Sequence, residues 1–207
     1  MTAAGASPRA VLLRHGQTEW SRTGRHTGRT DIPLTDAGRL QARLAGPALA
    51  SWTFARVLVS PLSRARETAA LAGLSRAEVR DDLAEWDYGD VEGHTTDEVR
   101  AAHPGWLLWR DGVPGGETID EVGRRADRVI AEVRATEGDV CLVAHGHLLR
   151  VLGARWLGYP PVDGCHLALD TATISVLGDE HGIACLLRWN DGSHLRAGAA
   201  AEARAPS

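Results

Sequence analysis

The stretch VLLRHGQTEW, Val11 to Trp20, places two polar groups at the end of an apolar run. The letters VLL are typical of a buried β-strand, and Arg14 and His15 follow at once. Gly16 comes next and would let a ligand approach the backbone closely. A charge is costly to bury unpaired, so the Arg14 guanidinium at the end of a buried strand is expected to bind a group of opposite charge or a hydrogen-bond acceptor.

The composition narrows the possible partners of the chain. Of its 207 residues, 43% are hydrophobic and 24% are charged, as in ordinary globular domains. The formal net charge is -4, so neither nucleic acid nor a membrane is predicted as a partner. The chain has no Lys, so a bound anion must be held by Arg, His or backbone groups. No apolar stretch could span a bilayer and no signal-like start is present, which predicts a cytoplasmic protein, while the oligomeric state is left open.

Strand-like and helix-like segments alternate along the chain. Strands are predicted at AVLLR, RVLVS and DVCLVAHG, and a closing hairpin at TATISVL and GIACLLRW. Helices are predicted at LTDAGRLQARLAGPALA, SPLSRARETAALAG, GETIDEVGRRADRVIAEVRA and HLLRVLGARWLG. Thr35 and Ser60 are expected to cap two of these helices, and Thr118 with Glu121 to form a capping box.

This alternation predicts an α/β fold in a single domain. The expected architecture is a three-layer α/β/α sandwich with a mostly parallel central sheet, because helices that connect parallel strands cover both faces of the sheet. The domain is predicted over residues 9–190, and residues 1–8 and 195–207 are predicted to be disordered ends.

Basic residues recur where predicted strands end. Arg14 and His15 end one strand, Arg64 lies in the first helical turn after another, and His145 ends a third. In open α/β sheets, ligands bind beyond the carboxyl ends of the strands, so these side chains are expected to converge. Arginines and helix N-termini that meet at one edge form an anion site, and bidentate arginines suit phosphate.

Two histidines suggest chemistry as well as binding. One imidazole can attack phosphorus and form a phosphohistidine, and the other can donate to the phosphoryl oxygens. A proton must also reach the leaving oxygen, and Glu85, expected at another strand end and packed beside Trp86 and Tyr88, is the candidate general acid. Asp87 is its rival for that role.

Five motifs in this order resemble the histidine phosphatase superfamily, in the branch that includes cofactor-dependent phosphoglycerate mutase. They are RHGQTEW, TGRTDIPLT, SPLSRARETA, EWDYGDVEG and AHGHLLR, and they extend from Ala10 to about Leu157. The resemblance implies that His15 is the phosphorylated histidine and Glu85 the acid and base. It assigns the phosphate pocket to Arg14, Arg64 and His145. The motifs also imply supporting contacts from Thr18, Thr27, Gly28 and Gly146.

A finer resemblance is to sedoheptulose-bisphosphatases and related bacterial sugar phosphatases. Ser21 and the turn WDYGD depart from the mutase pattern, and the turn adds Asp87 and Asp90 without a cation. Carboxylates beside the substrate would repel a phosphorylated acid, so polyol phosphates are predicted as the preferred substrates. A phosphoglycerate mutase and a phosphate-binding regulatory protein without turnover are the alternative hypotheses.

The sequence therefore predicts a metal-independent phosphatase without a cofactor that acts on a small phosphorylated metabolite, in particular a sugar phosphate. The predicted catalytic residues are Arg14, His15, Arg64, Glu85 and His145. The predicted substrate-binding residues are Gly16, Gln17, Thr18, Ser21, Thr27, Gly28, Trp86, Asp87, Tyr88, Arg110, Gly146, His147 and Arg150. Trp106 and Trp109 fit either core packing or a platform for a sugar.

Overall fold

The computed structural model describes residues 7–196, and its central element is a six-stranded sheet. The strands are β1 (Ala10–Arg14), β2 (Phe54–Val59), β3 (Glu78–Val79), β4 (Asp139–Ala144), β5 (Ile174–Glu180) and β6 (Ile183–Asp191). The helices are α1 (Glu19–Thr23), α2 (Asp36–Leu49), α3 (Ser63–Leu71), α4 (Thr96–Ala102), α5 (Leu108–Asp111), α6 (Ile119–Arg134) and α7 (Gly146–Trp156). Short 3-10 turns precede Glu85, follow Tyr88 and follow α7.

The strand order is β3-β2-β4-β1-β5-β6, and the first four of these strands are parallel. β5 runs antiparallel to both β1 and β6, which makes the predicted closing hairpin. The prediction of a mostly parallel sheet is therefore confirmed. Parallel strands need long crossovers, and α2, α3 and α6 lie in the three that join β1, β2, β3 and β4, whereas α7 leads from β4 to the antiparallel β5.

Two apolar clusters cover the two faces of the sheet. Leu12 of β1 packs with α6 and α7 on one face, whereas Val11 and Leu13 pack with α2 and α3 on the other. Successive side chains of a strand point to opposite faces, so an unbroken apolar strand is what a sheet covered on both sides requires. The three-layer architecture predicted from the sequence is confirmed.

The helix starts follow the sequence signals in two cases and depart from them in a third. Thr35 caps α2, and Thr118 with Glu121 forms the capping box of α6. The predicted Ser60 cap is wrong, because Leu62 is the N-cap of α3 and has no side-chain cap bond. The Ser60 hydroxyl is taken instead by His145 Nε2, at 2.7 Å.

Two further expectations are changed by the structure. Glu85 does not end a strand: it follows a 3-10 turn, and the nearest strand before it is the two-residue β3. Of the predicted disordered ends, residues 1–6 and 197–207 lie outside the described part of the chain. Residues 195 and 196 are described and belong to a helical turn over 193–196, so disorder is not found there.

The loop after β1 is held against α2 by two glycines. A Cβ on Gly38 would clash with the Gln17 carbonyl oxygen, and a Cβ on Gly16 would clash with the Gly38 carbonyl oxygen. Both clashing atoms are backbone carbonyl oxygens, and the backbone cannot move aside as a flexible side chain does. The absence of a side chain at both positions therefore sets how closely this loop approaches the helix.

We predict that Gly38→Ala lowers the free energy of unfolding by about 1–3 kcal/mol, because the added methyl group overpacks this contact. Chemical denaturation measures the change. Gly46→Ala on the same helix is the comparison variant: its Cβ would lie 3.2 Å from the Ala72 carbonyl oxygen, a milder approach than the clash at Gly38, and helix propensity gains about 1 kcal/mol, so a smaller loss is expected. Equal destabilisation by both variants would contradict the conclusion that the close contact between Gly38 and the loop after β1 requires a glycine.

Candidate active site

The candidate site is a cavity of about 380 Å³ beyond the carboxyl ends of β1 and β4. The register of the sheet aligns these ends, since Arg14 pairs with Ala144 and the N–H of His15 donates to the Ala144 carbonyl at 2.9 Å. The crossovers that leave β1 and β4 pack on opposite faces of the sheet. A crevice at such a switch point is the expected ligand site of a parallel sheet.

His15 lies in this crevice with one ring nitrogen fixed. Its Nδ1 donates to the Gly16 carbonyl at 2.7 Å, because a carbonyl can only accept, and this leaves a lone pair on Nε2. The residue is only 4% exposed. Burial, together with the charges of Arg14 and Arg64, holds the pKa of His15 well below 6.5. A neutral imidazole with a free Nε2 is chemically a nucleophile.

Arg64 is fully buried beneath the floor of the site and donates in several directions. Its Nε donates to Nδ1 of His145 at 3.2 Å. Its Nη atoms donate to the carbonyls of Thr27, Gly28 and Thr30 at 3.0–3.1 Å. These bonds tie α3 to the end of β4 and to the 27–30 loop. Thr27 and Gly28 thus support the cation through their backbone.

His145 stands beside His15, with the ring centroids 5.1 Å apart. Since Arg64 can only donate, Nδ1 of His145 accepts and its Nε2–H donates to the Ser60 hydroxyl. Burial and the nearby Arg64 lower the pKa of His145 well below 6.5. Both of its ring nitrogens have protein partners, so donation to a phosphoryl oxygen would require an exchange of one of them.

Arg14 is the half-buried cation that lines the cavity beside His15. Its Nη1 donates to the Leu169 carbonyl, and its Nε is a buried donor without a partner within residues 7–196. A Cβ on Gly146 would lie 3.2 Å from the Arg14 Cζ, so this glycine lets the guanidinium lie against the N-terminus of α7. A buried, unpaired donor beside a helix N-terminus is suited to an anionic ligand.

Glu85 meets the same helix N-terminus from the other side and is 7% exposed. Its Oε1 accepts from the backbone N–H groups of Trp86 and Leu148, at 3.0 and 2.9 Å. Its Oε2 accepts only from the N–H of His147, at 3.1 Å. The carboxyl group lines the cavity, and Oε2 retains the greater capacity to exchange a proton.

Asp87 does not reach the cavity. Its carboxylate pairs with Arg29 at 2.8 Å and accepts from the N–H of Gly89. Asp90 faces a separate cavity. The geometry therefore favours Glu85 over Asp87 as the proton donor. The preference for polyol phosphates was predicted from Asp87 and Asp90, and neither carboxylate lines this cavity.

The wall of the cavity near α7 is built from aromatic rings. The Tyr88 hydroxyl lies 2.5 Å from Nδ1 of His147, and burial both raises the Tyr88 pKa and lowers the His147 pKa. Both groups are therefore uncharged, and a hydrogen bond joins them. His147 packs against Trp109, with the ring centroids 5.2 Å apart. Trp109 and Trp106 both line the cavity, as a sugar platform would.

The structure brings most, though not all, of the predicted residues to the cavity. The predicted residues that line it are Arg14, His15, Ser21, Thr27, Glu85, Tyr88, Gly146, His147 and Arg150. Arg64 and His145 do not line it, but His145 lies against His15 and accepts from Arg64, and Gly16 supplies the carbonyl that orients His15. The cavity-lining residues that the sequence analysis did not predict are Gly24, Arg25, His26, Thr96, Arg100, Leu107, Leu108 and Leu169.

Three residues that were predicted to bind substrate instead form hydrogen bonds within the protein around the site. Thr18 is buried as the N-cap of α1, where it exchanges hydrogen bonds with Ser21. Gln17 binds Thr35 and Gln41 near the start of α2. Trp86 is fully buried and its indole N–H donates to the Glu117 carbonyl. These three positions were predicted to contact substrate, and packing around the site uses them instead.

Arg110 is also displaced from its predicted place. Its guanidinium pairs with the adjacent Asp111 at 2.8 Å and faces the second cavity rather than the first. Arg100, which no motif indicated, lines the site from α4. Its spacing of four residues from Thr96, another lining residue, is the one helical signal that would have indicated it.

Neither a metal cluster nor a membrane helix is found over residues 7–196. That range contains no group of three or more His, Cys, Asp or Glu side chains placed to hold a metal ion. None of its helices combines the length and apolar character needed to cross a bilayer. The expectation of metal-independent chemistry stays a prediction.

Comparison with known proteins identifies the class. Residues 10–192 match the model of the histidine phosphatase superfamily (branch 1), and the chain belongs to this family. An acid phosphatase of Mycobacterium tuberculosis is 46% identical, over 84% of this chain and 88% of that protein. Sedoheptulose 1,7-bisphosphatase of Saccharomyces cerevisiae is 34% identical, over 84% of this chain and 76% of its own length.

The fold agrees with this assignment. A solved structure of an open reading frame product from Mycobacterium tuberculosis superposes with a TM-score of 0.84 at 45% identity and covers 88% of this chain and 97% of that one. The protein is thus a phosphoric monoester hydrolase of the phosphoglycerate mutase-like α/β fold. The family resemblance, the fold and the enzyme class predicted from the sequence are confirmed.

The buried histidines predict how stability depends on pH. His15, His145 and His147 have folded-state pKa values held well below 6.5 by burial and neighbouring arginines. The unfolded chain takes up these protons near pH 6.5 and the folded chain does not. The three histidines therefore contribute fully to the free energy of unfolding above pH 6.5. As the pH falls below 6.5, this free energy decreases by about 1.4 kcal/mol per pH unit for each histidine.

Chemical denaturation at steps from pH 7.5 to 5.5 measures this slope. His15→Asn should make the decline shallower by one histidine's share, while His181→Asn, in the exposed turn between β5 and β6, should leave it as in the parent protein. An unchanged slope in the His15→Asn variant would show that this imidazole titrates normally in the folded state.

Proposed function

We propose that the protein hydrolyses a small sugar phosphate through a phosphohistidine on His15. The observation that carries the proposal is the fixed tautomer of His15, whose Nδ1–H is held by the Gly16 carbonyl at 2.7 Å. This leaves the Nε2 lone pair free, in the field of the Arg14 and Arg64 charges. Its pKa, held well below 6.5 by burial, keeps the ring unprotonated at neutral pH.

In the first step, Nε2 of His15 forms a bond to phosphorus while the bond from phosphorus to the sugar oxygen breaks. The electron pair of that bond stays on the sugar oxygen, which takes a proton from Glu85. The Oε2 atom is the one suited to this transfer, because only one backbone N–H bonds to it, at 3.1 Å. The sugar leaves as a neutral alcohol, and Glu85 is left as a carboxylate.

The charge of the phosphoryl group is balanced by two guanidiniums. Arg14 offers a buried Nε without a protein partner within residues 7–196. Arg64, fully buried, fixes the second positive charge beneath the pocket. Both imidazoles are neutral, so the two arginines carry the positive charge that faces a phosphate dianion.

In the second step, Glu85 removes a proton from water, and the water oxygen displaces Nε2 of His15 from phosphorus. Inorganic phosphate leaves, and both residues return to their starting protonation states. The phosphatases among the relatives, at 46% and 34% identity, support water as the acceptor over a second sugar acid, as a mutase would require. The phosphatase relatives likewise support turnover over a purely regulatory binding role.

We predict that His15→Ala abolishes phosphate release, by about three orders of magnitude or more, because no other group in the site can form the covalent intermediate. Wild-type protein quenched during turnover should carry one acid-labile, base-stable phosphoryl group, located on His15 by mass spectrometry. Circular dichroism checks that the variant is folded. Retention of near-normal activity by folded His15→Ala would overturn the mechanism.

We predict that Glu85→Gln slows phosphorylation of His15 by about two to four orders of magnitude with alkyl phosphates. The loss should shrink with p-nitrophenyl phosphate, whose leaving group needs little protonation. Rapid-quench measurement isolates this step from the later attack of water. Asp87→Asn is the matched control, because Asp87 pairs with Arg29 outside the cavity. An equal loss with both substrates would assign the proton to another group.

A further inference from the structure

The cavity contains more positive charge than one phosphate requires. Besides Arg14 in the phosphate pocket, three arginines line it: Arg25, Arg100 and Arg150. Glu85 is the one carboxylate among its lining residues in the described chain, and three backbone N–H groups already bind it. Arg25 is neutralised by Glu98, 3.0 Å away. Two cations therefore remain to be explained.

Arg150 lies on α7, one helical turn after Gly146, and lines the cavity. Its Nε and Nη2 donate to the carbonyls of Gly164 and Cys165, at 3.1 and 3.0 Å, and its guanidinium lies 4.7 Å from the ring centroid of Trp109. These contacts fix its direction and leave Nη1 without a protein acceptor within residues 7–196. Burial lowers the pKa of Arg150, which indicates that its charge is poorly compensated in the folded protein.

Arg100 faces the same cavity from α4. Its Nε donates to the Trp106 carbonyl at 2.9 Å, so its stem is anchored. Both Nη atoms lack a hydrogen-bond partner, and no carboxylate pairs with this residue, among residues 7–196. An anchored guanidinium with both Nη groups free can bind a carboxylate or a phosphate in bidentate fashion.

Aromatic and apolar side chains line the same cavity as these two arginines. Trp106 and Trp109 line the cavity together with Leu107 and Leu108. Such a lining suits the carbon skeleton of a sugar, with charged groups at either end. Arg100 and Arg150 thus line the same cavity as His15, and neither is needed to hold the tautomer of its ring.

We propose that Arg100 and Arg150 form a second anion subsite, and that the natural substrate is a phosphomonoester bearing a second anionic group, phosphate or carboxylate. The inference rests on the proposed function of the cavity and specifies its substrate class. It reverses the preference for neutral polyol phosphates predicted from the sequence. Asp87, on which that preference depended, is paired with Arg29 outside the cavity.

Two matched substrate pairs test the proposal. Glycerol 3-phosphate and 3-phosphoglycerate differ only in a hydroxymethyl group against a carboxylate. Fructose 6-phosphate and fructose 1,6-bisphosphate differ only in a second phosphate. The wild-type enzyme should show, in one of the pairs, a kcat/KM at least tenfold higher for the member that bears the second anionic group. The pair that shows the larger preference identifies that group as a carboxylate or a phosphate.

Arginine variants then locate the preference. Arg100→Gln and Arg150→Gln should each lower the ratio of the two kcat/KM values by about tenfold to a hundredfold, mainly through KM, as expected for a lost charge-assisted hydrogen bond. Arg100→Lys should restore part of the ratio, and Arg100→Glu should invert it. The control is Arg124→Gln, an exposed residue of α6 outside the cavity, which should keep the wild-type ratio.

The outcomes separate this inference from the proposed function. Turnover of p-nitrophenyl phosphate reports an active, folded enzyme in every variant. If the wild-type enzyme turns over but treats both members of each pair within twofold, the subsite is overturned and the phosphatase function stands. The subsite is also overturned, with the phosphatase function intact, if the Arg100 variants keep the wild-type ratio. Absence of turnover with every phosphomonoester would overturn the proposed function itself.

Discussion

The buried guanidinium of Arg64 joins parts of the chain that are otherwise separate. It is fully inaccessible to solvent, and it binds His145 at the end of β4 and three carbonyls of the 27–30 loop. A buried cation is tolerated only when its donors are satisfied, so these acceptors must be in place for the protein to fold. The same constraint brings the end of β4, the start of α3 and the loop before α2 around one point.

Neutral imidazoles complete this arrangement. Two arginines within reach of His15 and His145 make a further positive charge unfavourable, and burial acts in the same direction on both pKa values. Each ring is therefore fixed as a particular tautomer by a backbone carbonyl or by a donor that cannot accept. A nucleophile and its positive surroundings can coexist because the nucleophile is uncharged, and this is what a phosphoryl acceptor in a cationic pocket requires.

The N-terminus of α7 organises the other half of the site. Its free N–H groups hold Glu85, and its first residue, Gly146, admits the guanidinium of Arg14. One helix end thus holds the proposed proton donor and a proposed phosphate-binding arginine, which are far apart in sequence. Further along the same helix, Arg150 adds a further cation to the cavity lining and lies against the ring of Trp109. The proposed chemistry and the proposed selectivity depend on this one element.

The sequence by itself determined the fold class and the centre of the site. Unbroken apolar strands imply a sheet covered on both faces, and polar residues at the ends of parallel strands must meet at one edge, so Arg14, His15 and His145 could be predicted from local pattern alone. Glu85 was predicted through its motif, although its place at a helix N-terminus was not. Tertiary structure alone decided which charges face the ligand. Asp87 and Arg110 are held by salt-bridge partners outside the cavity, whereas Arg100, whose Nε donates to a backbone carbonyl, lines the cavity and stays exposed to solvent. Side-chain pairing of this kind depends on which segments become neighbours, and that is a property of the folded chain.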